Sequence, residues 1–109
     1  MTIEDRGIVE EFKKRLPTEV TAHIRRLIIF GSRARGEAES DSDLDLLALV
    51  DTLTPELRRA MDDTAYAVMW DHAFQPMISL KIMPEERFNN MLARGFSFYR
   101  NVTREGIPA

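Results

Sequence analysis

The sequence predicts an α/β (α+β) domain in which a small mixed sheet is flanked by helices. Three observations predict it. Short apolar runs at residues 27–30, 44–50 and 77–83 read as buried strands. Apolar residues at helical spacing surround and separate those runs. A polar stretch containing Gly31 and Gly36 is all that joins the first two runs. The order is α-β-(loop)-β-α-β-α, which gives a sheet covered by helices.

Each element has a local cause. Thr2, with Asp5 three residues on, is close to a capping box and opens a helix. Ile8, Val9, Phe12 and Leu16 recur on one face of it, with Glu10, Glu11, Lys13 and Lys14 between them. Pro17 ends that helix or begins a short second one. Leu27-Ile28-Ile29-Phe30 follows Arg25-Arg26 and stops at Gly31, so it reads as a buried strand. Residues 31–43 read as a loop with one helical turn at most. Residues 44–50 form the second strand, closed by Asp51-Thr52. Thr54-Pro55-Glu56 is an N-cap with Pro at the first helical position. Leu57, Met61, Thr64, Ala65 and Val68 continue that helix to about residue 70. After Pro76 comes the third strand, 77–83, and Pro84-Glu85-Glu86 opens a helix carrying Phe88, Met91 and Leu92. The tail, 96–107, reads as a short helix closed by Gly106.

Composition bounds the rest. A length of 109 residues predicts a single domain spanning 1–109. Hydrophobic residues at 44% and charged residues at 30% fit a globular chain and argue against disorder. Fifteen Lys+Arg against eighteen Asp+Glu give a net charge of −3, which lacks the basic footprint of a nucleic-acid binder. Zero cysteines exclude disulfides, thiolate zinc sites and a Cys nucleophile, and they fit a reducing compartment. No apolar run approaches the ~20 residues that span a bilayer. The charged N-terminus shows no signal peptide, so the expected location is cytoplasmic.

The chemistry lies in Gly31-Ser32-Arg33-Ala34-Arg35-Gly36, then five residues, then Ser42-Asp43-Leu44-Asp45-Leu46. Residues i and i+2 of a strand share a face, so Asp43 and Asp45 project to the same side while Leu44 points into the core. Two like charges so placed raise each other's proton affinity unless a cation relieves them. A hard cation with oxygen ligands does this, Mg²⁺ above all, taking one or two carboxylates together with phosphate oxygens and water. Gly31, directly after a strand, lets phosphate oxygens approach the backbone. Ser32 offers its hydroxyl and its N–H, and at the start of a helical turn the free N–H groups favour an anion. Arg33 and Arg35 are available for phosphate contacts or for pairing with acids. An anion cradle at one strand end and a cation site at the next suit a metal–triphosphate complex, hence phosphoryl or nucleotidyl transfer.

On these residues the sequence resembles the DNA polymerase beta superfamily of nucleotidyltransferases, and more narrowly the minimal nucleotidyltransferases of prokaryotes. Their motif is a Gly-Ser, an Arg-rich turn, and a Ser-Asp-x-Asp-hydrophobic strand, matched here without a gap from Gly31 to Leu46. The resemblance implies a nucleotidyltransferase fold and a divalent-metal site on Asp43 and Asp45. It also implies phosphate binding by Gly31 and Ser32. The nucleotide would be a nucleoside triphosphate (NTP), with ATP expected. Small members of this kind are similar to the antitoxin partners of HEPN-domain toxins. Some transfer AMP to the toxin and others act by binding. The implied partner is therefore a HEPN-type helical protein, with a homo-oligomer left open. The competing reading is a non-catalytic, antitoxin-like module that masks its partner.

One departure separates these readings. Active members place a third carboxylate on the next central strand, where it supports a second metal and can act as base. The run Met77-Ile78-Ser79-Leu80-Lys81-Ile82-Met83 holds no acid, and alternation puts Met77, Ser79, Lys81 and Met83 on one face. Ser79 or Lys81 would stand at the missing acid's place, where Lys81 would oppose a second metal or contact phosphate. Asp71, Glu85 or Glu86 could substitute, the partner could supply the group, or the chain is a binder only.

The remaining residues suggest less. His23 and His72 lack metal-ligand neighbours and read as surface residues. Tyr66, Met69 and Trp70 read as helix packing. Phe96, Phe98 and Tyr99 read as a packed C-terminal segment, with a docking surface as the alternative. Glu37, Glu39 and Asp41 read as solvated, with Asp41 near enough to support the metal site.

Overall fold

The structure is a computed structural model that describes residues 1–39 and 41–109; the part of the expected polar loop at residue 40 lies outside the described residues. Helix α1 (Ile3–Arg15) opens as its sequence demands. The Thr2 hydroxyl accepts the Asp5 N–H at 3.0 Å, and the Asp5 carboxylate accepts the Thr2 N–H at 3.5 Å. Pro17 both ends this helix and caps a single turn, α2 (Thr18–Thr21). Strand β1 (Ile24–Phe30) leads into α3 (Gly31–Arg35), which Gly36 ends in the left-handed region at φ 73°. Strand β2 (Leu44–Val50) follows, then α4 (Pro55–Asp71), whose Leu57 N–H donates to the Thr54 hydroxyl at 3.1 Å. Strand β3 (Ile78–Pro84), α5 (Glu85–Ala93), α6 (Ser97–Glu105) and the two-residue β4 (Ile107–Pro108) complete the order.

The described strands form a four-stranded mixed sheet in the order β3-β2-β1-β4. β1 is antiparallel to β2 and to β4, and β2 is parallel to β3. Alternation along β2 splits the core in two. Leu44, Leu46, Ala48 and Val50 face α1 and α4, packing with Val9, Phe12, Met61 and Val68. Leu47 and Leu49 face the other way, with Ile28, Phe88 of α5 and Val102 of α6. Fully burying a Leu or Phe side chain contributes about 1.5–3 kcal/mol, so β2, apolar on both faces, is the most firmly held strand. Asp45 is the one residue of β2 that is not buried.

The structure extends and corrects several expectations. β1 begins at Ile24 rather than Leu27, and the one helical turn allowed within 31–43 is the five-residue α3. The tail helix does stop at Gly106, but in an extended conformation that feeds β4. Of the α4 residues expected to pack, Met69 lies against the core, whereas Tyr66 and Trp70 are 56% and 66% exposed. These two rings contact each other and Phe74 instead. Phe98 and Tyr99 pack on the α5/α6 core as expected, while Phe96 is exposed. His23 and His72 are exposed and pair with Asp51 and Glu11. Among the described residues, no helix is long and apolar enough to cross a membrane.

Candidate functional site

The two halves of the motif meet across the β1–β2 ladder. Phe30, the last residue of β1, pairs with Asp45, and directly opposed residues share a face of the sheet. Gly31 follows with φ 78°, a conformation that costs an L side chain roughly 1–2 kcal/mol. A Cβ at Gly31 would also collide with the Asp45 carboxylate oxygen and stand 3.2 Å from its Cγ. Glycine is thus required twice, once by the backbone and once by the carboxylate lying against it. Among the described residues no side chain caps the first turn of α3, and the leading N–H groups of a helix have no intrahelical partner. Ser32, half-buried, stands in that turn.

The carboxylates are placed by β2. Asp45 is half-buried at its start and Asp43 is exposed just before it. The Leu44 N–H donates to the Met77 carbonyl at 2.8 Å, which fixes this end of the strand. Burial raises the proton affinity of Asp45, and the Asp43 charge raises it further, opposed by Lys81, the neighbouring Ser79 hydroxyl and Arg35. An Asp45 charge disfavoured by burial and by the Asp43 charge, at an open strand end, fits a hard divalent cation.

The arginines divide. Arg33 donates from Nε and Nη2 to the Ser42 carbonyl at 2.9 and 2.7 Å, and from Nη1 to Asp5 at 3.0 Å. Acid pairing, one of its two expected roles, is formed here, and it ties α1 to the residue before Asp43. Arg35 is exposed and pairs with Glu37 at 3.1 Å and Glu105 at 3.4 Å. It borders a cavity of about 190 Å³ that Gly31, Phe98, Asn101 and Glu105 also line. Asn101 and Glu105, four residues apart, lie on one side of α6 and bring it to this cavity.

Parallel pairing places Ser79 of β3 directly beside Asp45, with Lys81 one rung further along beside Leu47. Of the two residues expected near the missing acid's place, Ser79 is the one abreast of Asp45. None of the suggested substitutes reaches that place. Asp71 is bound to Arg15 at 2.6 Å. Glu85 and Glu86 open α5 just after Pro84, which pairs with Val50 at the far end of the strands. Among the described residues, no group of three or more His, Cys, Asp or Glu side chains is placed to hold a metal ion.

The first turn of α3, at the end of β1, thus lies against Asp45 and the start of β2. The family described as "Nucleotidyltransferase domain" matches residues 6–96. The chain belongs to that family. Two Methanocaldococcus jannaschii proteins are similar to it. "Putative protein adenylyltransferase MJ0604" is 30% identical over 98 residues, covering 90% of each chain. "Putative protein adenylyltransferase MJ0141" is 35% identical over 77 residues, covering 68% of this chain and 78% of its own. A solved structure described as "Crystal structure of the toxin-antitoxin with AMP-PNP" superposes with a TM-score of 0.56 at 18% identity. It covers 97% of this chain and 72% of its own, and it shares the fold. Nucleotidyltransferases use a nucleoside triphosphate and a divalent metal, and the α3 turn and the aspartate pair lie within the matched residues.

Proposed function

We propose that this nucleotidyltransferase domain binds Mg²⁺·ATP and transfers the AMP group to a hydroxyl of a protein partner, in an antitoxin-like pairing with a HEPN-type helical protein. The observation that carries the reading is the packing of the Asp45 carboxylate against the Gly31 backbone, which joins a cation site to an anion site. The names of the two archaeal relatives and of the toxin–antitoxin structure support the acceptor and partner classes.

Asp43 and Asp45 would hold the metal, and Gly31, Ser32 and Arg35 would face the triphosphate. When bound, the divalent ion neutralises phosphate charge and aligns the α-phosphate. The α3 turn supplies N–H donors to the phosphate oxygens at an angle set by Gly31. The acceptor oxygen bonds to the α-phosphorus, the bond to the α,β-bridging oxygen breaks, and its electron pair leaves with pyrophosphate. The acceptor proton passes to water. Arg33 acts at a distance, holding the Ser42 carbonyl and so the backbone leading into Asp43.

The experiment is calorimetric titration with Mg²⁺·ATP, then mass spectrometry of the partner encoded beside this chain for an added AMP. Asp43→Asn should abolish the added mass while leaving the fold intact. Full transfer by that variant would sink the assignment. The serine abreast of Asp45 favours a second reading, neutralisation by masking alone. It wins if the Asp43→Asn/Asp45→Asn variant neutralises the partner as well as wild type.

A further inference from the structure

The position beside the aspartate pair carries an inference that rests on the nucleotide-binding reading above. Ser79 stands abreast of Asp45, and Lys81 follows on the same face of β3. Two residues along a strand is about 6.6 Å, a span that the four-carbon stem of lysine covers. Lys81 is exposed although its row-mate Leu47 is fully buried, so its ammonium is held out of the core on the site side of the sheet. Among the described residues, no salt bridge holds that ammonium. Its charge acts on Asp45. A second divalent ion at this place would lack its third carboxylate and would face a fixed positive charge, since Ser79 offers only a neutral hydroxyl.

We propose that Lys81 is a nucleotide-positioning residue whose ammonium contacts the triphosphate and replaces the second divalent ion, so that the site takes one ion per bound nucleotide. A Lys is suited to this as a compact charge with three donors. It has no geometric demand for further carboxylates, which the described site does not supply.

The test counts metal ions and needs no turnover. Mn²⁺ and α,β-methylene ATP, which cannot be cleaved at the bond to the α-phosphate, are titrated into the full chain. Bound ions are read by electron paramagnetic resonance and nucleotide by equilibrium dialysis. Wild type should bind one Mn²⁺ per nucleotide. Lys81→Ala should keep that ratio and weaken nucleotide binding by about tenfold or more, the scale of a hydrogen bond to a charged group. Lys81→Arg should retain most of the affinity. Ser79→Asp/Lys81→Ala should bind two Mn²⁺ per nucleotide. Two ions in wild type, or unchanged nucleotide affinity in Lys81→Ala, would overturn this inference and leave the nucleotide site standing. Absence of any bound nucleotide in wild type would overturn both. Because Lys81 is exposed, its variants should unfold at the wild-type temperature, which a circular dichroism melt checks.

Discussion

Asp5→Ala tests the link between the first helix and the motif. The Asp5–Arg33 pair is almost sealed, with side-chain exposures of 5% and 11%. Removing one partner of a buried pair costs about 3–5 kcal/mol, because the other charge is left buried without compensation. Here the Ser42 carbonyl would still accept two of the guanidinium bonds, which places the expected loss near the lower figure. The Thr2 hydroxyl would go on accepting the N–H of residue 5, so the stronger half of the capping box survives. The expected destabilisation is thus about 3 kcal/mol, and at about 4 °C per kcal/mol for a chain of this size the melting temperature should fall by about 12 °C. Urea denaturation followed by circular dichroism at the helical band measures the first figure, and a thermal scan measures the second. Asp5→Leu/Arg33→Met removes both charges and should recover part of the loss, the Ser42 carbonyl then losing its two guanidinium donors. The reasoning is refuted if Asp5→Ala loses under about 1 kcal/mol, the behaviour of a solvent-exposed pair. It also fails if the double variant is no more stable than the single one.

Two further outcomes concern the site itself. Gly31→Ala should destabilise the chain by about 1–2 kcal/mol through its φ of 78°. The methyl would also displace the Asp45 carboxylate, so divalent-ion binding should weaken by more than the stability loss explains; calorimetry beside a urea titration separates the two effects. The raised proton affinity of Asp45 makes a pH prediction. The folded state holds that proton more tightly than the unfolded chain. The metal-free protein therefore loses stability as pH rises from the ordinary carboxylate range through the folded pKa. Asp45→Asn should be the more stable protein at neutral pH without metal, with the difference vanishing in acid below the unfolded pKa. Unfolding scans across pH, with and without Mg²⁺, should show the ion reversing that order.

Much of the fold could be read from the sequence because its strongest signals are local. Residues 44–50 are apolar on both faces because helices cover both, and a run of that kind shows in one dimension. The caps at Thr2 and Thr54 are decided within three residues. The shared face of Ser79 and Lys81 followed from alternation alone. What was hidden depends on partners distant in the chain. β4 is two residues long and is a strand only because Ile107 and Pro108 meet Ile29 and Ile28 at the sheet edge. Arg33 pairs with Asp5, 28 residues away, a partner that no local pattern names. Whether Ser79 or Lys81 stands abreast of Asp45 is a matter of register, which no single strand reveals. Helical spacing groups Tyr66 and Trp70, but nothing in that spacing says whether another element covers them.

The ladder that seats Phe30 opposite Asp45 has an evolutionary corollary. Alignment of the two half-sites is set by strand pairing, and among the described residues the Arg33 guanidinium holds the Ser42 end of the connection from Gly36. Lengthening a connection costs little, about 0.6 kcal/mol for each doubling. That connection is where insertions can accumulate among descendants of this fold, changing what docks at the rim while the chemistry beneath keeps its geometry.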